Sequence, residues 1–264
     1  RQYLPNTAMN QEAIYVLYMV AEAHWQLRLG QSPEPIREMR NYYEQALRVH
    51  DGGDLGAFAR WRLAQLAWKT GDTGQALANL DKAVLSSQEA VRQNAELLRL
   101  RAMNANGQHS EALGLISALR PVMKETDQQV ALDLIEGEIW SKLGNWQSAW
   151  QAYNHANGLD SGWINLDVDN CERMAKAAME AGELDKARGY LEYINHNFSY
   201  RDESAMFKLA LMYAEVLSRQ GEQKLALDTY AALLSRMGNT PKGELVQKQM
   251  YRNFPDEVIH GEKL

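Results

Sequence analysis

Six histidines, His24, His50, His109, His155, His196 and His260, could hold a metal or move protons, but none stands i, i+4 from another as a helical zinc pair would. No HExxH is present. Asp167-Val168-Asp169 has the opening of an oxygen-ligand calcium loop, yet the sixth place, where such a loop needs glycine, holds Glu172. Those aspartates read instead as caps of a helix beginning near 168. One cysteine, Cys171, excludes an internal disulfide and any multi-cysteine zinc or iron–sulfur site; on that helix it reads as a small packing residue. There is no GxGxxG and no GxxxxGK[ST], and Gly52, Gly53 and Gly56 of HDGGDLG read as a loop between repeats. Asn197-Phe198-Ser199 is a formal glycosylation acceptor of the kind that arises by chance. No catalytic constellation survives, so the expectation is a non-enzyme without cofactor or metal.

What must position any binding residues is a helical chain. Hydrophobic residues make up 45% of the 264 and charged ones 23%, values of an ordinary folded protein. The interior is poor in proline. A net charge of −6 argues against a generic nucleic-acid or anionic-membrane binder. The longest apolar stretch, Ala13 to Ala21, is shorter than the roughly 20 residues a bilayer span needs. Arg1 rather than Met opens the sequence, as expected of a trimmed chain, and no targeting segment is legible. The lone thiol suits a cytosol or a periplasm, and an envelope compartment is favoured over the cytoplasm.

Glycine recurs at Gly30, Gly71, Gly107, Gly144, Gly182 and Gly221, at intervals of 41, 36, 37, 38 and 39 residues. Five residues after each of the last five stands an alanine: Ala76, Ala112, Ala149, Ala187 and Ala226. Nine residues after stands a bulky group: Leu80, Ile116, Tyr153, Leu191 and Tyr230. Seven residues before, the position is small (Ala23, Ala64, Gly137, Ala175, Ala214), with Leu100 the exception. Helical periodicity flanks each glycine. The spacing predicts a helix, a tight turn at positive φ, and a second helix. Small residues let the two backbones approach, and the bulky one fills the seam. Such a hairpin buries its apolar face only by stacking on neighbours.

WKTGDTGQALANLDKAV, SKLGNWQSAWQAYNHANGLD and MEAGELDKARGYLEYI resemble tetratricopeptide repeats. The resemblance runs over about 13 to 236 in six units, near 13–50, 56–87, 92–122, 130–159, 168–197 and 207–236. It implies an all-α, right-handed superhelical solenoid of antiparallel helical hairpins. The expected organisation is an irregular lead-in at 1–11, the array at 12–237, and a capping helix with a frayed tail at 238–264. The first unit departs from the pattern with a SPEP insertion, Ser32 to Pro35, ahead of its second helix, and Pro121 is expected to stop the third unit's second helix.

The resemblance also implies a concave groove lined by the first helix of every unit. Positions 13, 10, 6 and 3 before each glycine form a stripe at helical spacing. The residues chosen from it as partner-binding are His24, Phe58, Trp61, Gln65, Trp68, Arg101, Asn104, Glu138 and Lys176. Its N-terminal half is apolar and aromatic; its C-terminal half carries both charges. Tryptophan and arginine dominate interface hot spots; the same tryptophans could instead pack against a neighbouring helix or the lead-in. Trp140, Trp146 and Trp150 read as core or seam. Relatives that clamp a terminal carboxylate carry a lysine and an asparagine on one first helix and a lysine and an arginine on the first helix two units on. Here only Arg173 and Lys208 are basic, on adjacent helices, so the clamp is missing.

The function expected is a scaffold recruiting a partner peptide or protein into the groove. Two other readings stay open: a cell-envelope scaffold for polysaccharide or pilus assembly, touching carbohydrate through the aromatic stripe, and the sensor part of a longer regulator. No nucleic acid and no inserted membrane segment are expected. The apolar first helix, IYVLYMV, is expected to be covered by 1–11 or by a second copy in a homodimer.

Overall fold

A computed structural model describes residues 16, 19–20, 22–23, 25, 33–162, 168–197 and 203–255. Its regular elements are α1 (Pro33–Val49), α2 (Gly53–Lys69), α3 (Thr73–Ala83), α4 (Glu89–Ala105), α5 (His109–Leu119), α6 (Thr126–Lys142), α7 (Trp146–Leu159), α8 (Val168–Glu180), α9 (Leu184–Asn197), α10 (Glu203–Arg219), α11 (Gln223–Met237) and α12 (Pro241–Asn253). Val16, Met19, Val20, Glu22, Ala23 and Trp25 are helical too, and the described residues hold no strand. Consecutive helices pack as hairpins, α2 on α3, α4 on α5, α6 on α7, α8 on α9 and α10 on α11. The chain divides at Lys124/Glu125 into two compact units.

Each hairpin turn is set by its glycine. Gly71, Gly107, Gly144, Gly182 and Gly221 have φ between 74° and 86°, where a side chain would be strained. After each, the next residue's N–H donates to the carbonyl four residues before the glycine: Asp72 to Ala67, Gln108 to Met103, Asn145 to Trp140, Glu183 to Ala178 and Glu222 to Leu217, all at 2.8–2.9 Å. That bond closes the first helix and satisfies a carbonyl it would otherwise orphan. The second helix then starts at once, and in two hairpins the residue after the glycine caps it: Asp72 accepts from the Gln75 N–H, and Asn145 from the Ser148 N–H.

The seam follows from residue size. The alanines five after the glycine are wholly buried, and the bulky residues nine after are at most 3% exposed. At Gly137 the two helices approach closely, because a Cβ built there would lie 2.5 Å from Tyr153 Cε1. The first unit has apolar cores around Met39, Tyr43 and Leu66 and around Ala64, Leu80 and Ala102. The second has one around Tyr153, Met174 and Leu191 and another around Leu211, Tyr230 and Val246. Cys171 is wholly buried in the former.

Three local expectations are corrected. Pro33 to Pro35 form the first turn of α1 rather than an insertion before it, since proline at a helix start lacks only an N–H that has no partner there. The glycines at 53 and 56 belong to α2 rather than to a loop; a Cβ at Gly56 would stand 2.5 Å from the Asp51 carbonyl, so the chain doubles back where only glycine fits. Ala23 is exposed, not packed in a seam. The capping helix is α12: Thr240 accepts from the Gly243 N–H at 3.3 Å and Pro241 takes its first turn. Among the described residues no helix is long and apolar enough to cross a membrane.

Candidate functional site

In the first unit, α2 presents Phe58, Trp61, Gln65 and Trp68 at its helical spacing, and all four are half-buried. Trp61 and Trp68 lie at the margin of the core formed with α3 and α4, and Phe58 against the core formed with α1. Phe58 meets Trp61 edge-on, centroids 5.7 Å apart. Phe58, Trp61 and Gln65 are held by Arg62, a residue the stripe leaves out. Its guanidinium carbon lies 4.4 Å from the Trp25 ring centroid, 4.6 Å from that of Trp61 and 5.2 Å from that of Phe58. The same group donates from Nε and Nη2 to the two oxygens of Glu22 at 2.8 and 2.7 Å, and from Nη1 to Gln65 at 3.1 Å. The Tyr43 hydroxyl also donates to Glu22. A planar guanidinium satisfied by a carboxylate in its plane and by rings on its faces fixes all of these side chains. One face of Trp61 is thereby occupied from within.

On α4, Asn94 and Arg101 are exposed and Leu97 is half-buried. Asn104 is 3% exposed, so the structure takes it out of the presented stripe; with Ala102 and Met103 it belongs to the buried side of the helix. His24 lies outside the described residues.

In the second unit the stripe is polar and bridged from repeat to repeat. Glu138 on α6 pairs with Arg173 on α8 at 2.6 Å, and Glu172 on α8 pairs with Lys208 on α10. Measured from each repeat's glycine, position −6 meets −9 of the next hairpin in the first of these pairs and −10 meets −13 in the second, a slip of three residues in both. The two basic residues that might have suggested a carboxylate clamp are thus already matched by acids. Lys176 is exposed, its ammonium 5.1 Å from the Trp146 centroid. Ala131, Leu134, Met179 and Leu211, also on the expected stripe, are buried.

Glu215, again at −6, is the strongest ionic node. It is 6% exposed and accepts from Arg219 at 2.9 Å, from Arg252 at 3.0 Å and from Asn253 at 2.7 Å. Burial alone would raise its pKa, but Asn253, Arg219 and Arg252 outweigh it and hold the carboxyl below its ordinary range. Arg252 and Asn253 lie in α12 and just at its end, so the carboxylate fastens the capping helix to α10. The Asn253 amide also donates to the Tyr230 hydroxyl at 3.0 Å, and burial pushes that phenol up to about 12.

No group of three histidine, cysteine, aspartate or glutamate side chains among the described residues could hold a metal. The arrangement offers aromatic area, amides and matched charges, which suits recognition.

No family model matches the chain, and no curated protein does. Its fold is that of several solved structures. PilF of Pseudomonas aeruginosa has TM-score 0.65 at 11% identity, covering 91% of this chain and 99% of that one. PilW, described as a widely conserved type IV pilus biogenesis factor, has TM-score 0.62 at 14% identity, with 89% and 98% covered. YrrB, described as a tetratricopeptide-repeat protein with an unusual peptide-binding site, has TM-score 0.57 at 16% identity, with 78% and 97% covered.

Proposed function

Because the chain has the tetratricopeptide-repeat fold, we propose that it is a non-enzymatic scaffold that recruits a partner peptide or protein along its first helices. The observation that carries this reading is the α2 surface: three half-buried aromatic rings with Gln65 among them, of which Phe58 and Trp61, like Gln65, are held by the Glu22–Arg62 pair. Rings fixed before binding lose little conformational freedom on contact, which is what makes tryptophan an effective anchor. The site on this reading is Phe58, Trp61, Gln65 and Trp68 with Arg101 of α4; Glu138 and Lys176 are candidate contacts of the second unit by itself.

A photo-crosslinking residue at Gln65, set against one at exposed Glu111 on α5, tests it. A prey captured from Gln65 and not from Glu111, and lost with Trp68→Ala in equally folded protein, is the expected result. Equal capture from both positions would refute the reading. Trp68 is the better probe than Trp61, since Trp61 also supports Arg62.

A second reading, that the scaffold serves pilus or polysaccharide assembly in a cell envelope, is supported by the fold likeness to PilF and PilW. A peptide partner is preferred to a sugar, because Arg62 already covers one face of Trp61. Envelope residence is testable by fractionation, with recovery only in the cytosol as the result that removes it.

A further inference from the structure

The chain as a whole is acidic, yet the charge left uncompensated on the first-unit stripe is basic. At the stripe positions of α2 and α4 stand Phe58, Trp61, Gln65, Trp68, Asn94, Leu97, Arg101 and Asn104, with no carboxylate among them. The acid nearest the rings, Glu22, is consumed by Arg62 and Tyr43. Neighbouring Arg99 is matched by Asp81 at 3.1 Å and by Glu96. Arg101 is exposed and has no hydrogen-bond or ion-pair partner among the described residues. In the second unit each stripe glutamate, Glu138, Glu172 and Glu215, is met by an arginine or lysine. Against that background Arg101 is an unmatched cation beside aromatic surface. Trp61 and Trp68 pack against the core that α2 shares with Ala95, Leu98 and Ala102 of α4, the helix that carries Arg101.

Resting on the scaffold reading above, we propose that the occupant of the α2–α4 stripe is an extended peptide segment with an aspartate or glutamate side chain for Arg101 and an apolar or aromatic residue next to it for Trp68. A guanidinium takes a carboxylate through two parallel N–H donors, and the amides of Asn94 and Gln65 suit a peptide backbone. An internal acidic side chain fits better than a chain end, because no second unmatched base stands at a neighbouring stripe position to share a terminal carboxylate.

The test is selection of random displayed peptides on the intact chain, followed by binding of the synthesised winners to wild type, Trp68→Ala, Arg101→Lys and Arg101→Glu. Arg101 is exposed, so these variants keep the fold, and circular dichroism checks that they do. Winners are expected to pair an acid with an aromatic or aliphatic residue, to weaken with salt, and to lose about tenfold or more in affinity with Arg101→Glu, the scale of one hydrogen-bonded charge pair. Arg101→Lys should retain part of the binding, and selection on Arg101→Glu should return basic peptides. Winners lost with Trp68→Ala but indifferent to Arg101→Glu, or free of acids, would overturn the acidic-partner proposal and leave the stripe as a site. No winners, or winners indifferent to Trp68→Ala, would remove the stripe itself.

Discussion

Replacing Gly137 by alanine tests the packing of the hairpins directly. In most helices the change is favourable by about 1 kcal/mol, because glycine lowers helix stability by that amount. Here the new methyl would come within 2.5, 2.7 and 2.8 Å of Tyr153 Cε1, Cδ1 and Cζ. Ordinary carbon contacts are about 3.5–4.0 Å, so three ring atoms are overlapped together. The ring cannot swing aside, because Tyr153 is 1% exposed and embedded with Met174, Ala149 and Leu191. Relief must come from a shift of α6 against α7, and overpacking of this kind costs about 1–3 kcal/mol. With the severity of the overlap the upper part of that range applies, and subtracting the propensity gain leaves a net loss of about 2 kcal/mol. Gly189 in α9 is the control, since a Cβ there meets nothing within 4 Å; Gly189→Ala should gain about 0.5–1 kcal/mol. Urea unfolding with matched slopes measures both, and hydrogen exchange locates the loss in α6 and α7, which a stack of repeats would not otherwise localise. Tyr153→Leu should be less damaging beside Gly137→Ala than in the native background, a coupling that a double-mutant cycle reads. Gly137→Ala as stable as Gly189→Ala would refute the close seam.

Other changes report on other features. Arg62→Ala removes the ion pair with Glu22 and the contact to two tryptophans, and should cost about 3 kcal/mol as a part-buried carboxylate loses its partner; tryptophan fluorescence should shift to the red. Glu215→Ala should release α12 before the rest of the unit, seen as faster hydrogen exchange over 246–253 while α6 and α7 stay protected. The same latch carries a pH dependence: the folded pKa of Glu215 is depressed, so its contribution is present above the ordinary carboxylate range and lost as pH falls through the lower folded value. Acid should therefore loosen α12 in wild type and change nothing there in Glu215→Ala. Gly182→Ala, at φ 86°, should cost about 1–2 kcal/mol by unfolding measurement, the penalty of a left-handed backbone for a side chain.

The hairpins were legible because their determinants are local. A glycine, an alanine five on and a bulky group nine on are all set within one unit, and the backbone bonds that close each turn join residues of that turn. The start of α1 was harder, since proline signals both a loop and a helix's first turn. The candidate binding surface was legible only in outline. The α2 side chains follow from helical spacing, but Arg62 sits one position off the stripe, and its acid lies 40 residues away on another helix. Nothing local joins Glu22 to Arg62, Glu138 to Arg173 or Glu215 to Asn253. The burial of Asn104 depends in the same way on how far α4 is rotated against its neighbours, which a period of 3.6 residues does not determine.

The repeat turns have a consequence for how such a chain can change over time. Nothing lies within 4 Å of a Cβ built on Gly71, Gly107, Gly144, Gly182 or Gly221, and each bend is closed by its own few residues. A hairpin therefore carries the instruction for its own reversal and asks nothing of its neighbours there. Spacing from turn to turn is free to drift, as the intervals of 36 to 41 residues record. Whole hairpins can be duplicated or deleted without redesigning the turn. The number of hairpins, and with it the extent of helical surface, is thus a quantity that selection or an engineer can adjust one hairpin at a time.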